Sequence, residues 1–99
     1  MLLGRVKGPV VSTAKLESLE GRKLLLVEIH TVRGLGVEGT GRHIVCVDSV
    51  GAGAGELVIA IMGNASRTAP DMENVPTDAV IVGIVDSLQS ATGKLELVP

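Results

Sequence analysis

The chain is 99 residues long, with 45% hydrophobic residues, no aromatic residue and a formal net charge of −2. This length fits one domain over residues 1–99. Lack of Phe, Tyr and Trp removes the stacking platforms of single-stranded nucleic-acid binders, and nine cations against eleven acids leave no basic patch for a phosphate backbone.

So short a chain buries a limited share of its surface. Its aliphatic content therefore predicts that another copy covers part of it. One cysteine, Cys46, allows no internal disulfide and fits a reducing cytoplasm. The start, Met1 to Arg5, meets a charge at once, unlike a signal-peptide core, and no apolar run approaches a membrane span. Neither nucleic acid nor membrane is expected as a partner.

Short β-branched runs broken by Gly, Pro and polar clusters predict an all-β chain. Leu2 to Thr13 reads as a first strand, with Gly4 and Gly8 marking bends or close backbone approach. Lys15 to Arg22 is a polar connector and Lys23 to Val32 a second strand. Arg33 to Gly41 holds four glycines in nine residues and reads as a turn. His43 to Asp48, Leu57 to Met62 and Ala79 to Leu88 are the third, fourth and fifth strands, and Lys94 to Val98 is a short sixth. Asn64 to Ala69 suits one helical turn stopped by Pro70, and Pro70 to Asp78 is a polar loop.

Five or six short strands favour a closed barrel, since closure removes unpaired edges. The strands are also apolar on both faces. Leu24 and Leu26 oppose Leu25, Val27 and Ile29; Val80, Val82 and Ile84 oppose Ile81 and Val85. A lone barrel needs only its inner face apolar. The outer face is thus expected to be covered by a neighbouring subunit or a cover segment.

Little in the chain points to catalysis. Gly51-Ala52-Gly53-Ala54-Gly55 precedes a strand, whereas a phosphate loop opens a helix. His43 and Cys46 are three apart, which on a strand puts them on opposite faces, so they do not share a metal with His30. No elbow motif frames Ser12, Ser49 or Ser66. Asp48 and Glu56 flank a turn, where caps and ion pairs are commoner than paired catalytic acids. Arg67 follows a small-residue turn, and its rigid fork suits a carboxylate such as Asp48, Glu56 or Asp78, in its own chain or the next.

Several segments carry a resemblance. They are Gly8-Pro9-Val10-Val11-Ser12-Thr13, Lys23 to Glu28, Asp48 to Val58, Gly63-Asn64-Ala65-Ser66-Arg67, and Pro76 to Asp86. In this order and spacing, from Leu2 to about Leu97, the chain resembles the bacterial microcompartment vertex proteins of EutN/CcmL type. The turn from Arg33 to Gly41 departs from some relatives, and the resemblance implies nothing for it.

The resemblance implies an OB-like barrel of five to six strands with one short helical turn. It also implies cyclic pentamers that close the vertices of a shell tiled by hexameric proteins, within the cytoplasm. Asp48, Gly51, Gly53, Gly55, Glu56, Arg67, Asp78 and Gly83 are then expected at subunit contacts or in assembly, with no catalytic residue and no cofactor. An OB-fold module binding nucleic acid or oligosaccharide is the alternative, and a small barrel enzyme is a third reading.

Overall fold

The computed structural model describes residues 1–11, 22–63, 79–90 and 93–95. Seven strands follow in order: β1 (Leu2–Pro9), β2 (Lys23–Arg33), β3 (Gly36–Asp48), β4 (Leu57–Met62), β5 (Ala79–Ile84), β6 (Leu88–Ser90) and β7 (Gly93–Leu95). The first five close into a barrel in the order β1-β2-β3-β5-β4. Neighbours are antiparallel except β3 and β5, which run parallel through Val47↔Val80 and Asp48↔Ile81. The expected all-β, OB-like barrel is thus present. The helical turn expected at Asn64 to Ala69 lies outside the described residues.

Several boundaries differ from those read in the sequence. The first strand ends at Pro9 rather than Thr13, because proline has no N–H to continue the ladder. Val10 still donates to Leu24 O at 2.8 Å. The expected turn over Arg33 to Gly41 is mostly strand. The true turn is Gly34-Leu35, closed by the Arg33↔Gly36 pair, with Gly34 at φ +61°, the positive value that two-residue hairpin loops require at their first position. The third strand therefore begins at Gly36 rather than His43. The fifth stops at Ile84 rather than Leu88, although Val85 still donates to Leu57 O at 2.8 Å. After a bend at Asp86, Leu88 opens a separate hairpin of β6 and β7. β7 covers Lys94, where the sixth strand was expected, and residues 96–99 lie outside the described set.

A five-stranded barrel is narrow, and its lining is correspondingly small. Val6, Leu25, Val27, Cys46, Ala52, Val58, Ala60, Ala79 and Ile81 form the interior, with Leu2 and Ile44 packed against it. Gly4 also faces inward: a Cβ there would overlap Val27 Cγ1 and lie 3.0 Å from Glu28 O. A second cluster, Val47 and Val80 with Leu24, Ile61 and Val82, occupies the outer faces of the same strands. The strands are therefore double-faced, as the alternation predicts. Val47 and Val80 are nevertheless already buried within one chain, so this part of the outer layer needs no second copy.

Two glycines of β1 separate cleanly on these grounds. Gly8, at the β1–β2 register shift, has open space where its Cβ would stand. Gly4→Ala should lower stability by about 1–3 kcal/mol through overpacking, and Gly8→Ala should stay within about 0.5 kcal/mol of the parent. Urea unfolding of the two variants side by side checks this. Indistinguishable midpoints would remove the steric account.

Candidate functional site

The loop from Ser49 to Glu56 joins β3 to β4, and several of its backbone donors are taken up by its own flanks and by β1. Asp48 Oδ1 accepts from the N–H groups of Val50 and Gly51, both at 3.1 Å. Glu56 Oε1 accepts from Gly53 N at 2.6 Å. Gly55 N donates to Val6 O at 2.8 Å, and Val6 N to Glu56 O at 2.9 Å. An anion cradle would need such N–H groups turned toward a ligand. Here they close the loop on itself, and β4 follows where a phosphate loop would start a helix.

Side chains from two strands, and one from the loop itself, hold this loop against the barrel. Arg5 Nη1 donates to Gly55 O at 2.8 Å, and Lys23 Nζ to Ala52 O at 3.2 Å. Ser49 Oγ donates to Ile81 O at 2.6 Å, so it serves as a tie to β5. Ala52 tucks its methyl into the interior cluster. Gly51 and Gly55 take φ +79° and +88°, backbone that a side chain resists. Gly53 does not share this constraint, since its Cβ would meet only Glu56 Oε1 at 3.4 Å.

Of the eight residues singled out in the sequence, the structure brings Asp48, Gly51, Gly53, Gly55 and Glu56 together in this one loop. Asp48 and Glu56 act there as caps. Gly83 lies elsewhere, on β5 opposite Ile59, with nothing near its missing Cβ. Arg67 and Asp78 lie outside the described residues, as do Ser12 and Ser66.

No group of three His, Cys, Asp or Glu residues suited to a metal occurs among the described residues. Cys46 is inside the barrel, where desolvation raises its thiol to about 11 and leaves it protonated at neutral pH. His43 is exposed, its Nδ1 3.1 Å from Gly41 O. His30 is buried, its Nδ1 3.1 Å from Glu28 O.

Sequence reasoning passed over Glu28, which organises the base of the β2–β3 hairpin. The pairing jumps from Glu28↔His43 to His30↔Gly39, leaving a bulge at Thr40 to Arg42. The Glu28 carboxylate fills that bulge. It accepts from Gly41 N at 3.0 Å and pairs with Lys7 Nζ at 3.2 Å. It also occupies the space a Cβ on Gly39 would take, with atoms at 2.6–2.8 Å. Thr40 Oγ1 adds a bond to Ile29 O at 2.7 Å. The Gly41 N–H first, then the Lys7 ammonium, hold the Glu28 carboxyl below its ordinary value of 4.5. A lone acid within an apolar strand, facing a segment with glycines two apart, was the available signal.

The sequence matches, over residues 1–86, the family described as ethanolamine utilisation protein EutN/carboxysome. It is 46% identical over 90 residues to the bacterial microcompartment shell vertex protein GrpN of Rhodospirillum rubrum (strain F11), covering 91% of this chain and 98% of that protein. It is 42% identical over 95 residues to the carboxysome shell vertex protein CcmL of Synechocystis sp. (strain ATCC 27184 / PCC 6803 / Kazusa), covering 96% and 92%. Among solved structures, a carboxysome subunit, CcmL, superposes with a TM-score of 0.88 at 40% identity over 98% of both chains. The GrpN pentameric microcompartment shell protein from Rhodospirillum rubrum gives 0.77 at 44% identity, covering 92% of this chain and 99% of that one.

Two outcomes follow from the geometry of the loop and the hairpin base. Gly51→Val and Gly55→Val should each cost about 1–3 kcal/mol by forcing a side chain into left-handed backbone, with Gly53→Val costing less. Thermal melts of the three variants test that order; three melts equal to the parent would mark the loop as a permissive turn.

The Glu28 clamp should be complete above the ordinary carboxylate range and be lost as pH falls through a folded-state value below 4.5. The Gly41 amide proton, followed by NMR, should report that midpoint, and Glu28→Gln should abolish it. A midpoint at or above 4.5 would count against the clamp.

Proposed function

The chain belongs to the EutN/CcmL family of microcompartment shell vertex proteins, and we propose that it acts as the five-fold block of such a shell. Five copies close into a ring, and the edges of that ring meet hexameric shell proteins inside the cytoplasm. The single observation that carries this is the match of nearly the whole chain, in sequence and in barrel, to a pentameric shell protein.

The mechanism is geometric. A flat sheet tiled by hexagons encloses no volume. A pentagon in place of a hexagon removes one sector and forces curvature, and enough pentagons close the polyhedron. The chain's work is self-association and edge contact, both through heterologous surfaces that close by rotation. Catalysis plays no part in it.

The loop of Asp48, Gly51, Gly53, Gly55 and Glu56 supports this role as a rigid, backbone-satisfied surface. Gly83 offers a flat position on the outer sheet, and Arg67 and Asp78 remain candidates for contact with a neighbouring copy. Nucleic acid and membrane are not partners on this reading. The absence of aromatic residues and the small negative charge argue against the oligonucleotide-binding alternative.

Native mass spectrometry at micromolar concentration should give the mass of five chains. A persistent monomer or dimer would overturn the proposal. Mixed with a hexameric shell protein, the chain should convert open sheets or tubes into closed polyhedra under the electron microscope.

A further inference from the structure

The β2–β3 hairpin ends in a residue that turn chemistry does not explain. Two-residue hairpin loops opening on Gly usually continue with Asn, Asp or Ser. Here the second position is Leu35, 64% exposed and flanked by Gly34 and Gly36, which shield none of it. Val32, one turn of the ladder below, is 49% exposed.

The hairpin is also an arm. The last rung β1 shares with β2 is Leu3↔His30, and β3 meets β5 only at Val47 and Asp48. Between these points the described strands pair only with each other. A free two-stranded hairpin is marginal in water. This one is aimed from its base by Glu28, with Gly41 and Lys7 as partners. Near its tip, Arg33 and Glu38 neutralise each other at 3.0 Å, so the tip carries no unpaired charge of theirs into an apolar contact.

A complementary surface exists on the same chain. Leu3 pairs with His30 on one side and Ile59 on the other, and Ile59 with Gly83. From Leu3 the row runs across β1, β4 and β5 as half-buried positions, with the buried His30 at its β2 end. Around Leu3 and Ile59, with Met1 and Leu2, lies an open apolar depression of about 300 Å³. That is the small end of ligand clefts and suits a branched side chain. The arm leads away from it: at the usual rise per residue, Leu35 stands roughly 15 Å along the hairpin from the His30 rung. A tip and a depression so separated do not meet within one chain.

We propose that the hairpin tip of one copy, led by Leu35, seats in the Met1–Leu3–Ile59 depression of the next copy. This rests on the pentameric reading. A ring of more than two copies requires two different, mutually complementary patches on each chain, and the tip and the depression are such a pair.

The test joins the two patches covalently. In a Leu35→Cys, Ile59→Cys double variant, oxidation should produce a ladder of linked chains ending at five on a non-reducing gel. Either single variant should stay unlinked, since the native Cys46 is buried. Leu35→Asp alters an exposed tip and should leave the circular dichroism of the barrel unchanged, while raising the ring's dissociation concentration by at least about tenfold.

A five-chain mass with no ladder and unchanged dissociation would overturn the assignment. So would a Leu35→Asp ring that stays intact yet no longer joins hexameric shell protein, because the tip would then serve that neighbour instead. If the unaltered protein shows no five-chain mass, the pentameric reading itself fails, and this assignment with it.

Discussion

Closing a sheet of only five strands is the constraint on which the rest of this structure depends. The lumen is narrow and filled by side chains alone, and the chain contains no aromatic residue to fill it. Val, Leu, Ile, Ala and Cys line it, and at Gly4 even a methyl group is too large. Closure also removes the hydrogen-bonding edges through which β proteins most easily associate. Copies of such a barrel meet through side chains and loops, which have defined shapes, rather than through strand addition, which propagates without limit. A building block for a ring of fixed size needs that restriction.

One edge escapes closure. β3 is paired to β5 over only two residues, so most of its outer edge, from Gly36 to Cys46, has no strand beside it among the described residues. The same stretch holds the bulge at Thr40 to Arg42, the positive φ of Gly41, and the charged or polar Glu38, Arg42 and His43. Bulges and charges are the ordinary means by which an exposed edge is kept from pairing. Glu28 therefore has two effects. By filling the bulge it sets the direction of the arm, and by keeping the bulge in place it spoils the edge for unwanted strand addition.

Much of the fold was legible in the sequence, and the misses have specific causes. Leu57 to Met62 was read to the residue because a continuous apolar run ends at a glycine. Asp48 and Glu56 were read as flanking a turn, as caps or in ion pairs, and the structure has them as caps. The stretch from Arg33 to Gly41 was misread as one long turn because its glycines look like turn residues. Gly34 makes a tip, Gly41 relieves a bulge and Gly39 makes room for Glu28, and spacing along the chain does not reveal which partner lies across the strand. Glu28 was passed over for the same reason: its meaning comes from Lys7 and Gly41, remote in sequence. The C-terminal hairpin was only half seen because Gln89, Ser90 and Thr92 give no apolar alternation.

The second apolar layer links folding to assembly. A domain of this size covers only about two-thirds of the surface its unfolded chain exposes, so its own core gives a narrow margin. Val47 and Val80 are covered within the chain, yet Val32, Leu35, Val45 and Met62 remain open to solvent. Each such side chain adds free energy only when a neighbour arrives. The ring is then more stable than its parts by an amount that grows with subunit concentration. A vertex block of this kind gains its full stability at the place and concentration where a shell is being closed. The charge balance of −2 keeps unassembled copies from strong mutual repulsion without supplying any attraction of its own. Net charge therefore does not steer copies together, and local contacts between copies decide their recognition.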